Sequence, residues 1–220
     1  MTLFSNQPGD EGLPGHERAR VLAAVMTTTL MGVFDGTMIN IALPSMAEAM
    51  AVPANIAVWF ANGYLLSAAM TLAIFAALAA RVGYRPVFLA GLTTFTLTSL
   101  GCALATTPEM LTGMRVLQGV GGAATLSIAP AILRSVFPGR LLGRILGLHA
   151  LLIASSTAIA PVLGGTILDA LSWQWLFAIN IIPGSIALLL AWRALPRASA
   201  TDRSPFDAPG AVLSAVLLGS

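Results

Sequence analysis

Residues 56–80 read IAVWFANGYLLSAAMTLAIFAALAA, and this stretch decides the fold class. It contains no Asp, Glu, Lys, Arg or His. A helix needs about 20 mostly apolar residues to cross a bilayer, and this run exceeds that length. A barrel strand would take only about 10 residues and would alternate in polarity, which this run does not. In lipid a helix also satisfies its own backbone hydrogen bonds, which a lone strand cannot do.

Working outward from it, five more such runs appear. One precedes it, Val21 to Leu43, interrupted by Asp35 and Asn40. Four follow: Pro86 to Thr107, Met110 to Leu133, Ile145 to Leu168, and Leu171 to Trp192. Overall composition agrees. Hydrophobic residues make up 57% of the 220-residue chain and charged residues 9%, against about 25% charged in an ordinary soluble domain. Soluble, disordered and disulfide-rich secreted classes therefore drop out. The one cysteine, Cys102, lies within an apolar run and has no cysteine to pair with.

The arginines predict the orientation. All eleven basic residues are arginine, and ten of them fall in alternate connections. Arg18 and Arg20 precede span one, Arg81 and Arg85 link spans two and three, and Arg134, Arg140 and Arg144 link four and five. Arg193, Arg197 and Arg203 follow span six, while the other connections hold Glu48, Glu109 and Asp169. The positive-inside rule then puts both ends in the cytoplasm. Trp59, Trp173 and Trp175 lie near the outer ends of spans two and six, where aromatic rings favour the interface. The predicted organisation is a cytoplasmic tail over residues 1–20, a six-span bundle over 21–193, a cytoplasmic linker over 194–207, and the truncated start of a seventh span over 208–220. A secretory signal at the N-terminus is the competing reading of the first apolar run. It is disfavoured because the run continues past Asp35 and five more spans follow.

Small residues mark where these helices approach one another, because lipid gives helices little hydrophobic reason to associate. Span five carries Ser156, Ala160 and Gly164 at spacing four, with Thr157, Pro161 and Gly165 alongside. Span four carries Gly119, Ala123 and Ser127, span two Gly63, Ser67 and Thr71, and span one Thr28, Gly32, Gly36 and Asn40. Static packing and sliding contacts are both compatible with such seams. Pro161 removes a backbone hydrogen bond and tends to kink its helix.

Asp35 and Arg115 are the charges at membrane depth, and such charges normally face the protein interior and have a partner. Counted from the ends of their spans, both sit in the same outer half, roughly 12 Å and 8 Å from one face at 1.5 Å per residue. The sequence thus predicts that they lie near each other across spans one and four, with substrate or water between them or as a purely structural pair. Desolvation and a neighbouring arginine pull a buried aspartate's protonation in opposite directions, which suits a group that exchanges a proton when its surroundings change. Arg115 would act by its field, since a guanidinium keeps its charge. His149, about one turn and a half inside the cytoplasmic end of span five, reads as an interfacial or hydrogen-bonded histidine in preference to a relay. No metal spacing, nucleophile–base set or phosphate loop is present, and Gly119-Val120-Gly121-Gly122 lies within a span. An enzyme and a nucleic-acid binder are therefore not expected.

Four segments resemble the major facilitator superfamily, and within it the fourteen-span drug–proton antiporters of the EmrB/QacA type. Residues 34–44, FDGTMINIALP, look like that branch's aspartate-containing first span. Residues 111–124, LTGMRVLQGVGGAA, are similar to its fourth-span arginine motif. Residues 160–165, APVLGG, resemble the fifth-span antiporter motif, and 172–180, SWQWLFAIN, the entry to span six. In the loop between spans two and three, Leu78, Arg81, Gly83 and Arg85 match the family signature, whereas Ala76 and Ala80 replace its glycine and aspartate. Ala160 replaces the glycine before Pro161, and Gln174 an arginine.

The resemblance implies an all-α membrane fold: a six-helix N-terminal half built from two inverted three-helix repeats, plus the start of a seventh span. It implies proton coupling or a substrate pathway at Asp35, Arg115, Asn40 and Gln118. It also implies gating or helix packing at Gly119, Pro161, Gly164, Gly165, Arg81, Gly83 and Arg85. The expected function is export of small lipophilic or cationic compounds across a bacterial inner membrane, with the proton gradient as energy source and no cofactor. Expected partners are the substrate, the bilayer, and a C-terminal half or another six-span bundle. The alternatives are a transporter of a specific metabolite, or a truncated bundle that does not transport.

Overall fold

The chain is described by a computed structural model over residues 3–5 and 10–196. Most of the linker over 194–207 and all of 208–220 lie outside the described residues. Eight helices are present among the described residues: α1 (Gly15–Ala49), α2 (Ala54–Val82), α3 (Tyr84–Ala103), α4 (Pro108–Leu126), α5 (Ala129–Val136), α6 (Gly139–Ala170), α7 (Trp175–Ala178) and α8 (Ile181–Ala194). They make six membrane-length spans, with α4–α5 forming the fourth and α7–α8 the sixth.

Helix starts follow local chemistry. α1, α2 and α6 begin directly after Pro14, Pro53 and Pro138. A fixed φ close to the helical value, and no backbone N–H to satisfy, make proline compatible with a helix entrance. At α4 the Thr107 side chain accepts a hydrogen bond from the Met110 N–H at 3.2 Å, with Pro108 as the first helical residue. This cap starts the fourth span two residues before Met110. Between α2 and α3 the chain turns on Gly83 alone, at φ 93°. Only glycine adopts that conformation without strain.

Four expectations are revised. The first helix starts at Gly15, inside the stretch read as a tail, and runs through Pro44 without ending. The fourth span is interrupted at Ser127–Ile128 before α5 resumes. The sixth span begins at Trp175, because Leu171–Gln174 form a bend and turn. Trp173 is buried against Phe177 in the interior, at a centroid separation of 6.1 Å, so it is not an interfacial ring. Trp59 and Trp175 are exposed.

In the bundle α4 packs between α2 and α3, α1 packs on α6, α8 and α2, and α3 closes against α8. Two large apolar cores result, with a small cluster of Met31, Tyr64 and Phe95 between them. One, near the arginine-rich end, includes Val21, Val25, Phe88, Leu92, Ile132, Ile145 and Ala191. The other includes Met38, Met46, Phe60, Leu111, Ala160 and Phe177. Along α1, α3, α4, α6 and the sixth span, the buried polar side chains Asp35, Ser99, Arg115, Gln118, His149, Ser156 and Asn180 fall between the two sets. Apolar burial holds the two ends and leaves a polar layer between them.

Candidate functional site

The polar layer centres on Arg115, which is 0% exposed, and Asp35, which is 4% exposed. Arg115 projects from α4 onto α1, and its Nη1 donates directly to Asp35 Oδ2. The same Nη1 donates to Gln118 Oε1 at 2.7 Å, and Nε donates to the Phe60 carbonyl of α2 at 2.8 Å. The guanidinium carbon lies 4.5 Å from the Tyr64 ring centroid and 5.5 Å from that of Phe177. The negative faces of those rings attract the cation and stand in for the water that burial excludes. Its Nη2 is buried with no hydrogen-bond partner among the described residues.

Asp35 is held by three side chains, two from α4 and one from the α7–α8 connection. Besides Arg115, Gln118 Nε2 donates to Oδ1 at 3.1 Å, and Asn180 Nδ2, between α7 and α8, approaches Oδ1 at 3.5 Å. Gln118 is oriented in turn by α3, where it donates to Ser99 Oγ at 2.8 Å and takes a 3.5 Å contact from Cys102 Sγ. The spacing explains why so few residues suffice. Arg115 and Gln118 are three apart on α4, as are Ser99 and Cys102 on α3, so each pair shares one helix face.

The expected neighbours therefore meet without an intervening gap: Asp35, Arg115 and Gln118 form one hydrogen-bonded cluster. Asn40 does not join it. Five residues beyond Asp35, it lies about 140° around α1, and it is exposed. The sequence reading missed Ser99, Asn180, Tyr64 and the Phe60 carbonyl. An uncharged serine or asparagine within a span is a weak signal by itself, and a backbone carbonyl carries none.

His149 bonds Thr29 Oγ1 at 3.0 Å and links α6 to α1. It lies ten residues past Gly139, roughly 15 Å into its helix, deeper than the sequence placed it because α6 starts at Gly139.

The packing residues divide sharply. A side chain at Gly119 would run into Ser67 Oγ and the Tyr64 carbonyl, so α2 and α4 touch there backbone to backbone. Gly164 meets Met38 of α1, where an added Cβ would sit 3.3 Å from that side chain. Gly165, one position on and about 100° around the helix, faces open space, so it is not a packing contact here. Pro161 is exposed, off the buried α6 stripe of His149, Ser156, Ala160 and Gly164. In the α2–α3 connection Gly83 makes the turn and Arg85 Nη2 donates to the Trp192 carbonyl of α8 at 2.6 Å. Arg81 lies in the last turn of α2.

Comparison with known proteins places these features in context. Residues 17–219 match the family described as Major Facilitator Superfamily. The chain is 40% identical over 95% of its length to the "Uncharacterized transporter YebQ" of Escherichia coli (strain K12), covering 46% of that protein. It is 32% identical over 90% of its length to the "Methylenomycin A resistance protein" of Streptomyces coelicolor, covering 42% of it. Among solved structures, a bacterial homologue of the human lysosomal transporter Spinster superposes with a TM-score of 0.66 at 16% identity. That match covers 92% of this chain and 47% of the other. The chain spans somewhat under half the length of these proteins. Its helices correspond to the N-terminal half of the fold.

Proposed function

The chain belongs to the major facilitator superfamily, and from that premise we propose that it supplies the N-terminal half of a proton-coupled exporter of small lipophilic or cationic compounds. The family makes it a membrane transporter and not an enzyme. The finer assignment is to the fourteen-span drug–proton antiporter branch, supported by the first-span and fourth-span motifs and by the resistance function in a relative's description.

The observation that carries the proposal is the buried Asp35–Arg115 pair, clamped by Gln118 and Asn180. With Arg115 seated, the Asp35 charge is neutralised and both carboxylate oxygens are occupied. If Arg115 swings away while the walls stay apolar, the carboxylate is stable only with a proton, because an unpaired charge at that depth is costly. A substrate cation or inflowing water that takes Arg115's place stabilises the carboxylate, and Asp35 releases its proton to water. Arg115 thus switches Asp35 between two protonation states without titrating itself. Asn40, exposed on α1, is assigned to the substrate path.

The remaining assignments complete the picture. Gly119 and Gly164 are the close contacts over which helices slide, Pro161 the weak point of α6, and Arg81, Gly83 and Arg85 the gating loop. The energy source is the proton gradient. The arginine-rich end faces the cytoplasm of a bacterial inner membrane. A second six-span bundle covers the exposed apolar faces of α2 and α6, which display Leu65, Leu72, Leu151, Ile159 and Val162.

The test is export from cells producing the full-length gene product, with and without a protonophore. Wild type should lower cellular accumulation of a lipophilic cation such as ethidium, and both the protonophore and Asp35→Asn should abolish that effect at equal protein level. Undiminished export by Asp35→Asn would remove proton coupling at this site.

A further inference from the structure

The outer face where α3 and α8 pack carries two hollows that meet at Trp192. The first, of about 440 Å³, lies at the arginine-rich end and is walled by Arg85, Arg193, Glu17 and Trp192 among others. The second, of equal volume, is a groove between α3 and α8 lined by Leu89, Thr93, Ser185, Leu188, Leu189 and Trp192. The end hollow is mixed in polarity, with Leu13 and Leu195 beside two arginines and one carboxylate. The groove is largely apolar.

Arg85 is fixed in place because its Nη2 donates to the Trp192 carbonyl at 2.6 Å. Its Nε is buried without a hydrogen-bond partner among the described residues. Arg193 stands exposed in the lining of the same hollow, and Glu17 Oε1 lies 3.9 Å from His16 Nε2. An anion arriving here would meet a donor that no described residue satisfies. The Trp192 indole is 58% exposed at the junction, a position where tryptophan favours the boundary between apolar chain and polar head.

We propose that these joined hollows bind one anionic phospholipid. Its phosphate sits on Arg85 and Arg193, and one acyl chain lies along the α3–α8 groove from Trp192 toward Ser185. Basic pockets between transmembrane helices recognise acidic headgroups by charge. A free phosphate would use only the end hollow, whereas a zwitterionic lipid would use only the groove. The lipid satisfies both, and its binding depends on neither substrate nor proton coupling.

The full-length gene product, delipidated in detergent and titrated with phosphatidylglycerol or phosphatidylcholine, tests this by native mass spectrometry. Each arginine near an anionic headgroup accounts for roughly fivefold in affinity, so Arg85→Gln with Arg193→Gln should weaken phosphatidylglycerol about 30-fold. Phosphatidylcholine binding should not change. The charge-matched control, Arg20→Gln with Arg134→Gln at two exposed positions, should bind phosphatidylglycerol like wild type. Ser185→Trp, which fills the groove, should also weaken it with both arginines intact. Unchanged phosphatidylglycerol binding in the Arg85/Arg193 variant, or an equal loss in the control, would overturn the site. Full binding by Ser185→Trp, with inorganic phosphate competing, would overturn the lipid in favour of a phosphate pocket. One arm needs no charge variant to fold: brominated phosphatidylglycerol should quench Trp192 more than brominated phosphatidylcholine, taken as the difference between wild type and Trp192→Phe. Equal quenching contradicts the proposal.

Discussion

Neutralising Asp35 alone should destabilise the bundle more than neutralising Asp35 and Arg115 together. In Asp35→Asn the guanidinium stays 0% exposed and loses its counter-charge, keeping only neutral acceptors: the new amide oxygen, Gln118 Oε1 and the Phe60 carbonyl. In Arg115→Gln the carboxylate keeps Gln118 and Asn180. Leaving one partner of a buried pair uncompensated costs about 3–5 kcal/mol. Additive behaviour would then put the double variant at about 6–10 kcal/mol, yet replacing a buried pair by neutral groups is often close to neutral. The expected coupling is therefore at least about 3 kcal/mol, the upper part of the range for contacting residues. The competing account is an ordinary interhelical hydrogen bond, which in membranes averages only about 0.6 kcal/mol. The two accounts differ enough to separate by SDS-induced unfolding of the four proteins in mixed micelles. Additivity within about 0.5 kcal/mol would refute a coupled buried pair.

Three further outcomes follow from the same geometry. Gly119→Ala should cost about 1–3 kcal/mol in thermal unfolding in detergent, because its Cβ collides with α2 backbone; Gly165→Ala, facing open space, should stay within about 0.5 kcal/mol. At the arginine-rich end Asp10 holds exposed Arg140 through two 2.7 Å bonds and lies 3.6 Å from buried Arg18. Arg140→Gln should therefore cost no more than about 1 kcal/mol, and Asp10→Asn about 3 kcal/mol, since it strips a buried arginine of its carboxylate. Asn40→Ala should raise the KM for export while leaving protons moved per substrate unchanged. A loss of coupling in that variant would place Asn40 functionally with Asp35 despite its exposure.

The spans were legible because membrane crossing depends on length and hydropathy, which the sequence carries directly. Residues 56–80 alone exclude a soluble domain, and their helix runs from Ala54 to Val82. The meeting of Asp35 with Arg115 was legible for a similar reason. Depth follows from counting residues, and a charge at depth needs a partner. What counting along the helix does not give is azimuth. Asn40 shares a span with Asp35 and lies on another face, and Gly165 turns away from the contact that Gly164 makes. The interruptions at Ser127–Ile128 and Ile179–Asn180 were hidden because one uncharged polar residue at each leaves the hydropathy of the span unbroken. Ser99, Asn180 and the Phe60 carbonyl joined the site through tertiary packing alone. The start of α1 was misplaced because hydropathy begins at Val21, whereas the helix begins where Pro14 permits it and runs past Arg18 and Arg20.

Proton movement coupled to substrate is the direct test of the central claim. The full-length gene product would be reconstituted in proteoliposomes containing a pH-sensitive dye, with substrate added on one side and no imposed potential. Asp35 as the exchanging group predicts a pH change in the lumen on substrate addition with wild type and none with Asp35→Asn, while the variant still binds substrate. A pH change of the same size with Asp35→Asn would contradict it.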